Sequence, residues 1–346
     1  MLRKEMGFMQ SLKLEKKLES EHVTNKNFKP IDGMESPRFS QIATFARTIH
    51  TKDLDEVNVA FVGVPYDGGT SYRTGTRYGP SAIREQSRIL RSYNRFLDTS
   101  PFDTLNVIDY GDVDIVPGNT QKTYAKIEAT ISSLTSRNVF PLIAGGDHSI
   151  TYPILKILYK KYGKINLVHF DSHYDFWDSY WGEKFTHGTW LHRALDEKLL
   201  REVVQIGIRG SLYSKSDNEY ANFNKIHVFD AQLYHDKGIK HIMKNILSLI
   251  EKEDPLYVSF DIDAVDPSYA PGTGTPEVGG LTSWDSLIAI RTFRGYNLKG
   301  MDVVEVSPMY DNQGQITSVL AANLLYEALG VKSLYRHLSE GGKNKK

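Results

Sequence analysis

The sequence predicts an α/β fold: a single-domain, three-layer α/β/α arrangement around an eight-stranded, mostly parallel sheet. Three observations carry this. Eight short apolar runs rich in β-branched residues recur along the 346-residue chain, helix-like stretches separate them, and polar segments follow several runs directly. Continuous apolar runs are expected of parallel strands covered on both faces. Strand–helix alternation requires right-handed crossovers and a doubly wound sheet. Length alone suggests about two domains, but the alternation argues for one.

The candidate strands lie near Val57–Val64, Leu105–Asp109, Val139–Ala144, Ile165–Phe170, Val203–Gly207, Ile226–Phe229, Leu256–Phe260 and Gly300–Val306. A helix starts at Gly79, with Pro80 near its first position and Ile83, Ser87 and Leu90 on one face. Others are expected over Tyr124–Ser136, Ile150–Lys161, Ile239–Lys252, Trp284–Thr292 and Thr317–Leu338. Residues 1–38 read as an N-terminal arm, 39–338 as the one folded domain and 339–346 as a frayed tail. The arm is either a solvated, partly helical segment or one that packs on a neighbouring subunit.

With 42 basic and 42 acidic residues, the chain has no electrostatic footprint for nucleic acid or an anionic membrane. Cysteine is absent, which excludes a disulfide framework and thiolate zinc sites. No apolar run approaches the roughly 20 residues that span a bilayer. The N-terminus lacks the pattern of a secretory signal, and Glu5, Glu15, Glu19 and Glu21 argue against a transit peptide. A cytoplasmic location is expected.

The chemistry concentrates in Gly145-Gly-Asp-His148, Asp171-Ser-His-Tyr-Asp175 and Asp261-Ile-Asp263, each of which follows a strand-like run. In open α/β sheets, ligands gather at the carboxyl ends of strands, so these segments can meet in one crevice. Alternate residues of an extended chain share a side, which groups Asp171, His173 and Asp175, and likewise Asp261 and Asp263. Carboxylates that close repel, and burying them without counter-charge is costly. A pair of divalent cations resolves that conflict. Mixed carboxylate and imidazole donors suit a borderline-hard metal such as manganese.

These segments closely resemble the ureohydrolase family, which includes arginases and agmatinases, over about residues 39–335. The likeness is closest in Ser259-Phe-Asp-Ile-Asp-Ala-Val-Asp-Pro-Ser-Tyr-Ala-Pro-Gly-Thr-Gly-Thr-Pro-Glu-Val-Gly-Gly280, which is similar to the agmatinase signature. Gly63-Val-Pro-Tyr-Asp67, Arg73-Thr-Gly-Thr-Arg-Tyr-Gly-Pro80, His187-Gly-Thr189 and Glu305-Val-Ser-Pro308 support it. The resemblance implies an arginase-like fold and two divalent ions per chain, manganese by expectation and nickel as the alternative. One ion would take His148, Asp171, Asp175 and Asp261. The other would take Asp171, His173, Asp261 and Asp263, with Asp171 and Asp261 bridging. A water shared by such ions is acidified from a pKa of about 15.7 towards ~7 in the strongest mononuclear cases. By the same resemblance Asp175 holds the attacking oxygen and passes a proton to the departing amine, His187 shuttles protons and Glu305 holds the substrate guanidinium by a short bidentate pairing. His169 receives no catalytic role.

Arginases carry short polar residues after the metal triplet, but this chain carries Phe176-Trp-Asp-Ser-Tyr-Trp-Gly-Glu-Lys-Phe185. Arginine is therefore disfavoured. Trp177, Trp181 and Trp190 are expected to bind substrate, with Asp178 and Glu183 receiving a cationic amine tail. That favours agmatine, giving putrescine and urea. Guanidinobutyrate, guanidinopropionate or free guanidine remain alternatives, with Lys184 or Arg193 meeting a carboxylate; so does an aromatic loop packed at a subunit contact. Trp190, where a small residue or proline is expected, and Tyr174, at an often-threonine position, depart from the family pattern. A single-zinc deacetylase of the same fold and a catalytically silent family member are the competing readings. Family members form trimers or hexamers, so a homo-oligomer is expected.

Overall fold

The apolar runs become eight strands in the computed structural model, which describes residues 27–341. They are β1 (Val59–Val64), β2 (Val107–Asp112), β3 (Phe140–Gly145), β4 (Ile165–Phe170), β5 (Leu200–Ile206), β6 (His227–Phe229), β7 (Leu256–Asp261) and β8 (Leu298–Val304). They form one sheet in the order β2-β1-β3-β8-β7-β4-β5-β6. Each pairing between these strands is parallel, so the sheet is all-parallel rather than mostly parallel.

The strands are apolar on both sides because both sides are covered. Along β1, Val59 and Phe61 join one core while Ala60, Val62 and Val64 join the other. Helices α2 (Thr120–Ser136), α3 (Thr151–Tyr162) and α4 (Trp190–Asp196) contribute Ile127, Ile154 and Leu191 to the second core. On the opposite face lie α1 (Gly79–Ser87), α7 (Ile239–Leu247), α8 (Ser283–Arg291) and α9 (Ile316–Gly341), with Ile83, Ile242, Ala289 and Leu325 in the first core. Each fully buried aliphatic or aromatic side chain of this kind stabilises the fold by about 1.5–3 kcal/mol.

Local signals set the helix ends. Pro80 occupies the first turn of α1, and Asn119 caps α2 by accepting from the Lys122 amide. Helix α3 stops at Gly163, whose φ of 76° favours glycine. The anticipated helix after Ile239 ends early, at Leu247. Short helices at Pro101–Thr104, Trp190–Asp196 (α4), Ser216–Phe223 (α5) and Ala231–Lys237 (α6) add to those expected. Most of the N-terminal arm lies outside the described residues; in its described part Phe28 is buried and Lys29 pairs with Asp103. Of the expected tail, residues 339–341 continue α9 and the remainder lies outside the described residues. Among the described residues, no helix is long and apolar enough to cross a membrane.

Four adjacent central strands, β3, β8, β7 and β4, end side by side. Their carboxyl ends carry the residues that the sequence singled out.

Candidate metal centre and active-site cleft

His148 follows β3 directly, in a single turn of 3-10 helix that the Asp147 side chain caps. Its Nδ1 lies 3.1 Å from Asp171 Oδ2, 3.2 Å from Asp175 Oδ2 and 3.1 Å from Asp261 Oδ2. Strand β4 delivers Asp171 and Asp175, and β7 ends on Asp261. A second group gathers around His173, whose Nδ1 is 3.4 Å from Asp171 Oδ1 and 3.2 Å from Asp263 Oδ2. Asp171 therefore gives one oxygen to each group. Asp261 differs: its Oδ2 joins the His148 group, while its Oδ1 accepts from the Asp263 amide at 2.8 Å.

Electrostatics shows why the cluster needs cations. Burial, Asp263 and Asp171 push the Asp261 carboxyl well above its usual range, and burial with Asp171 pushes Asp175 up. Burial opposes charge on His148, yet Asp171, Asp175 and Asp261 outweigh it and hold the imidazole well above its ordinary value. His173 is raised in the same way, against burial, by Asp263 and Asp171. For Asp171, burial is overcome by His169, His148 and His173, which hold it well below the carboxylate range. The protein's own histidines can balance these acids only by taking up protons. Divalent ions would supply that charge directly, and an all nitrogen-and-oxygen donor set fits them. Two groupings, His148–His169–Asp171–Asp175 and Asp171–His173–Asp263, bring their ligand atoms close enough to hold an ion.

Supporting residues aim these ligands. His148 Nε2 bonds Ser259 Oγ at 2.8 Å, and Ser259 donates to Asp302 Oδ1 at 2.7 Å, which leaves His148 Nδ1 for the cluster. His169 Nε2 contacts Asp171 Oδ2 at 2.7 Å, while Gln205 donates to His169 Nδ1 at 3.0 Å. Ser172 bonds Asp263 through both its amide and its hydroxyl. Sequence reasoning assigned none of these a role. A buried acid inside the apolar run Met301-Asp-Val-Val304 was the available signal for Asp302.

Glu305 comes immediately after β8 and is almost fully buried, with a left-handed φ of 62°. Its Oε1 accepts from the His148 amide at 2.9 Å and lies 3.0 Å from His187 Nδ1. Its Oε2 is buried with no hydrogen-bond partner. His187 is held at both nitrogens, because Nε2 accepts from the Ser71 amide at 3.1 Å and lies 2.6 Å from Ser71 Oγ. A backbone N–H can only donate, so this contact leaves the imidazole proton on Nδ1, facing Glu305. Burial works against a second proton, but Glu305 outweighs it and pushes His187 up to about 9. Taking that proton at Nε2 requires the Ser71 amide to give way. Asp147 anchors the Ser71 loop by accepting from the Gly69 amide at 2.7 Å, and burial beside Glu305 raises Asp147 to about 7.

Above the cluster opens a cleft of about 260 Å³ lined by Ser71, His173, Asp175, His187, Trp177, Tyr180, Tyr213 and Glu277, among others. A larger hollow, of about 440 Å³, is lined with Arg38, Arg47, Arg88 and Arg91 but holds none of these ligands. Of the three tryptophans expected in the pocket, only Trp177 lines the cleft. Trp181 is 77% exposed and turned to solvent. Trp190 is buried beneath the cluster, where its indole N–H donates to Asp175 Oδ2 at 2.9 Å. Tyr180 and Tyr213 occupy the wall instead. Asp178 is engaged by Arg193 at 2.5 Å, so neither is free for a substrate tail. Among the described residues, no lysine or arginine lines the cleft.

The family model described as "Arginase family" matches residues 57–330. A guanidinobutyrase of Pseudomonas aeruginosa is 46% identical over 87% of this chain and 96% of its own length. The mitochondrial agmatinase of Gallus gallus is 44% identical over 80% of this chain and 83% of its own. Among solved structures, a proclavaminate amidino hydrolase from Streptomyces clavuligerus superposes with a TM-score of 0.83 at 37% identity, covering 87% of this chain and all of that one.

Proposed function

The chain belongs to the arginase family, and from that premise we propose that it hydrolyses agmatine to putrescine and urea with two divalent ions. The observation that carries the guanidino reading is the buried, unpartnered Oε2 of Glu305, set beside the ligand cluster and one hydrogen bond from His187. An orphaned carboxylate oxygen is costly when buried and suits a guanidinium N–H. Because Oε1 already serves His148 and His187, the substrate would be held chiefly through Oε2 rather than in a symmetric bidentate pair.

His148, Asp171, Asp175 and Asp261 would hold one ion, and Asp171, His173, Asp261 and Asp263 the other. Bound there, the ions supply Lewis acidity and a water that loses its proton near neutral pH. The chain's own residues do the rest. Glu305 orients the guanidinium carbon over the cluster. Asp175, at the cleft floor, accepts the proton of the attacking water, and His187 passes a proton from Nε2 to the departing amine.

Agmatine is favoured by the lining, which offers Glu277 and three aromatic faces to an amine tail and, among the described residues, no lysine or arginine to a carboxylate. The second reading, a guanidino acid such as guanidinobutyrate, is favoured by the 46% identity to a protein of that activity. Urea release compared across agmatine, guanidinobutyrate, guanidinopropionate, guanidine and arginine decides between them. Equal loss of all activities in Glu305→Gln would support its role with the shared guanidinium; retained activity would remove it. Manganese is the proposed metal, with nickel as the alternative, and elemental analysis after refolding with each would separate them. The proposed setting is cytoplasmic. Met34, Phe39 and Ile42 are each largely exposed, which fits a trimer or hexamer that light scattering would detect.

A further inference from the structure

Trp190 stands where the family pattern leads one to expect a small residue, and it is wholly buried. Its ring stacks on His148 with centroids 4.7 Å apart and planes 27° from parallel, and meets His169 edge-on at 5.0 Å. Its N–H donates to Asp175 Oδ2, the same oxygen that faces His148 Nδ1. The side-chain hydrogen bond and both histidine contacts thus fall on the His148–Asp175 side of the cluster. The cluster's other half, His173 and Asp263, is braced separately by Ser172.

We infer that Trp190 is a positioning residue for one metal position only: it sets the angle of the His148 ring and selects the Asp175 oxygen presented to the ion. This rests on the reading that the cluster binds two ions. The physical reason is asymmetric support. A buried indole N–H fixes the Asp175 carboxylate rotamer, and the stacked ring removes the freedom of His148 to tilt. Loss of an outer hydrogen-bond partner of this kind typically costs ~10–100-fold in metal affinity.

The test is a calorimetric titration of metal-stripped full-length chain with Mn2+, with Trp190→Phe compared to the parent. Phenylalanine keeps a ring against His148 and removes the donor to Asp175. One binding event should weaken by ~10–100-fold and the other should be unchanged. Two unchanged events, or two equally weakened ones, would overturn the assignment. A second measurement leaves Trp190 in place. Of the chain's 4 tryptophans, Trp177, Trp181 and Trp284 are changed to Phe, so that emission comes from Trp190 alone. That emission should change with the event that His148→Ala abolishes, and a change that follows only the other event would overturn the inference. Uptake of no ion in either experiment overturns it together with the metal-centre reading, whereas two ions with Trp190 indifferent leaves that reading standing.

Discussion

The floor and the rim of the cleft are built on opposite terms. On the floor, His148, Asp171 and Asp263 are buried and tied to strand ends, and Ser259, His169 and Ser172 in turn aim them. At the rim, Trp177 and Tyr180 share a loop with exposed Trp181 and with Gly182, whose φ is 82°. Tyr213 is likewise exposed, and these rings lean on one another at centroid separations of 5.5–6.3 Å. Rigid, over-determined geometry belongs to the proposed metal ligands. Adaptable surface belongs to substrate choice. The same cleft can therefore keep one chemistry while its preference among tails changes.

The largest effect should come from removing the floor's charge balance. Asp171→Ala takes an oxygen from both ligand groups, so urea release should vanish for every guanidino substrate and bound metal should fall at both positions by elemental analysis. Stripping the parent with a chelator should lower its melting temperature, since an ion present at 1,000 times its dissociation constant contributes about 4 kcal/mol per site. Refilling should restore it. Next, His187→Asn should reduce kcat by ~10²–10⁴-fold with both ions retained. A changed substrate ranking in that variant would blur the division between floor and rim.

Ser71→Ala keeps the amide that meets His187 Nε2 and removes only the hydroxyl, so kcat should fall by a factor of ~2–10, in line with one hydrogen bond. Trp177→Ala should leave metal content unchanged but alter the ratio of kcat/KM for agmatine to that for guanidinobutyrate. A constant ratio would make the wall mere packing. Trp181→Ala, which touches solvent rather than the cleft, should change stability and activity by no more than ~0.5 kcal/mol.

The sheet and its ligand-bearing ends were legible because period, burial and chemistry agreed there. Val59–Val64 is apolar throughout since both faces are covered, and Asp171-Ser-His-Tyr-Asp175 keeps its donors together within one short segment. What escaped was set by distant meetings. Ser71 reaches His187 across 116 residues, and Asn94 meets Glu327 across 233; no local pattern encodes either. Trp190 misled for a different reason. Its position after His187-Gly-Thr189 placed it near the site, but Trp190–Asp196 coils into a helix whose first residue turns inward, beneath Asp175. Proximity along the chain was right, and direction was not recoverable from it.

The Glu305 carboxylate and the His148 amide that it accepts from are 157 residues apart, and the strands that present them, β8 and β3, are immediate neighbours. During synthesis the first three walls of the centre emerge with β3, β4 and β7, but the fourth waits for β8, which must insert between β3 and β7. Until it does, two strand edges stay open in the middle of the sheet, a slow and association-prone arrangement for non-local parallel pairing. Completion of the cleft floor and closure of the sheet thus both depend on β8. A nascent chain that has not reached Val304 has neither a finished sheet nor the carboxylate proposed to receive a guanidinium.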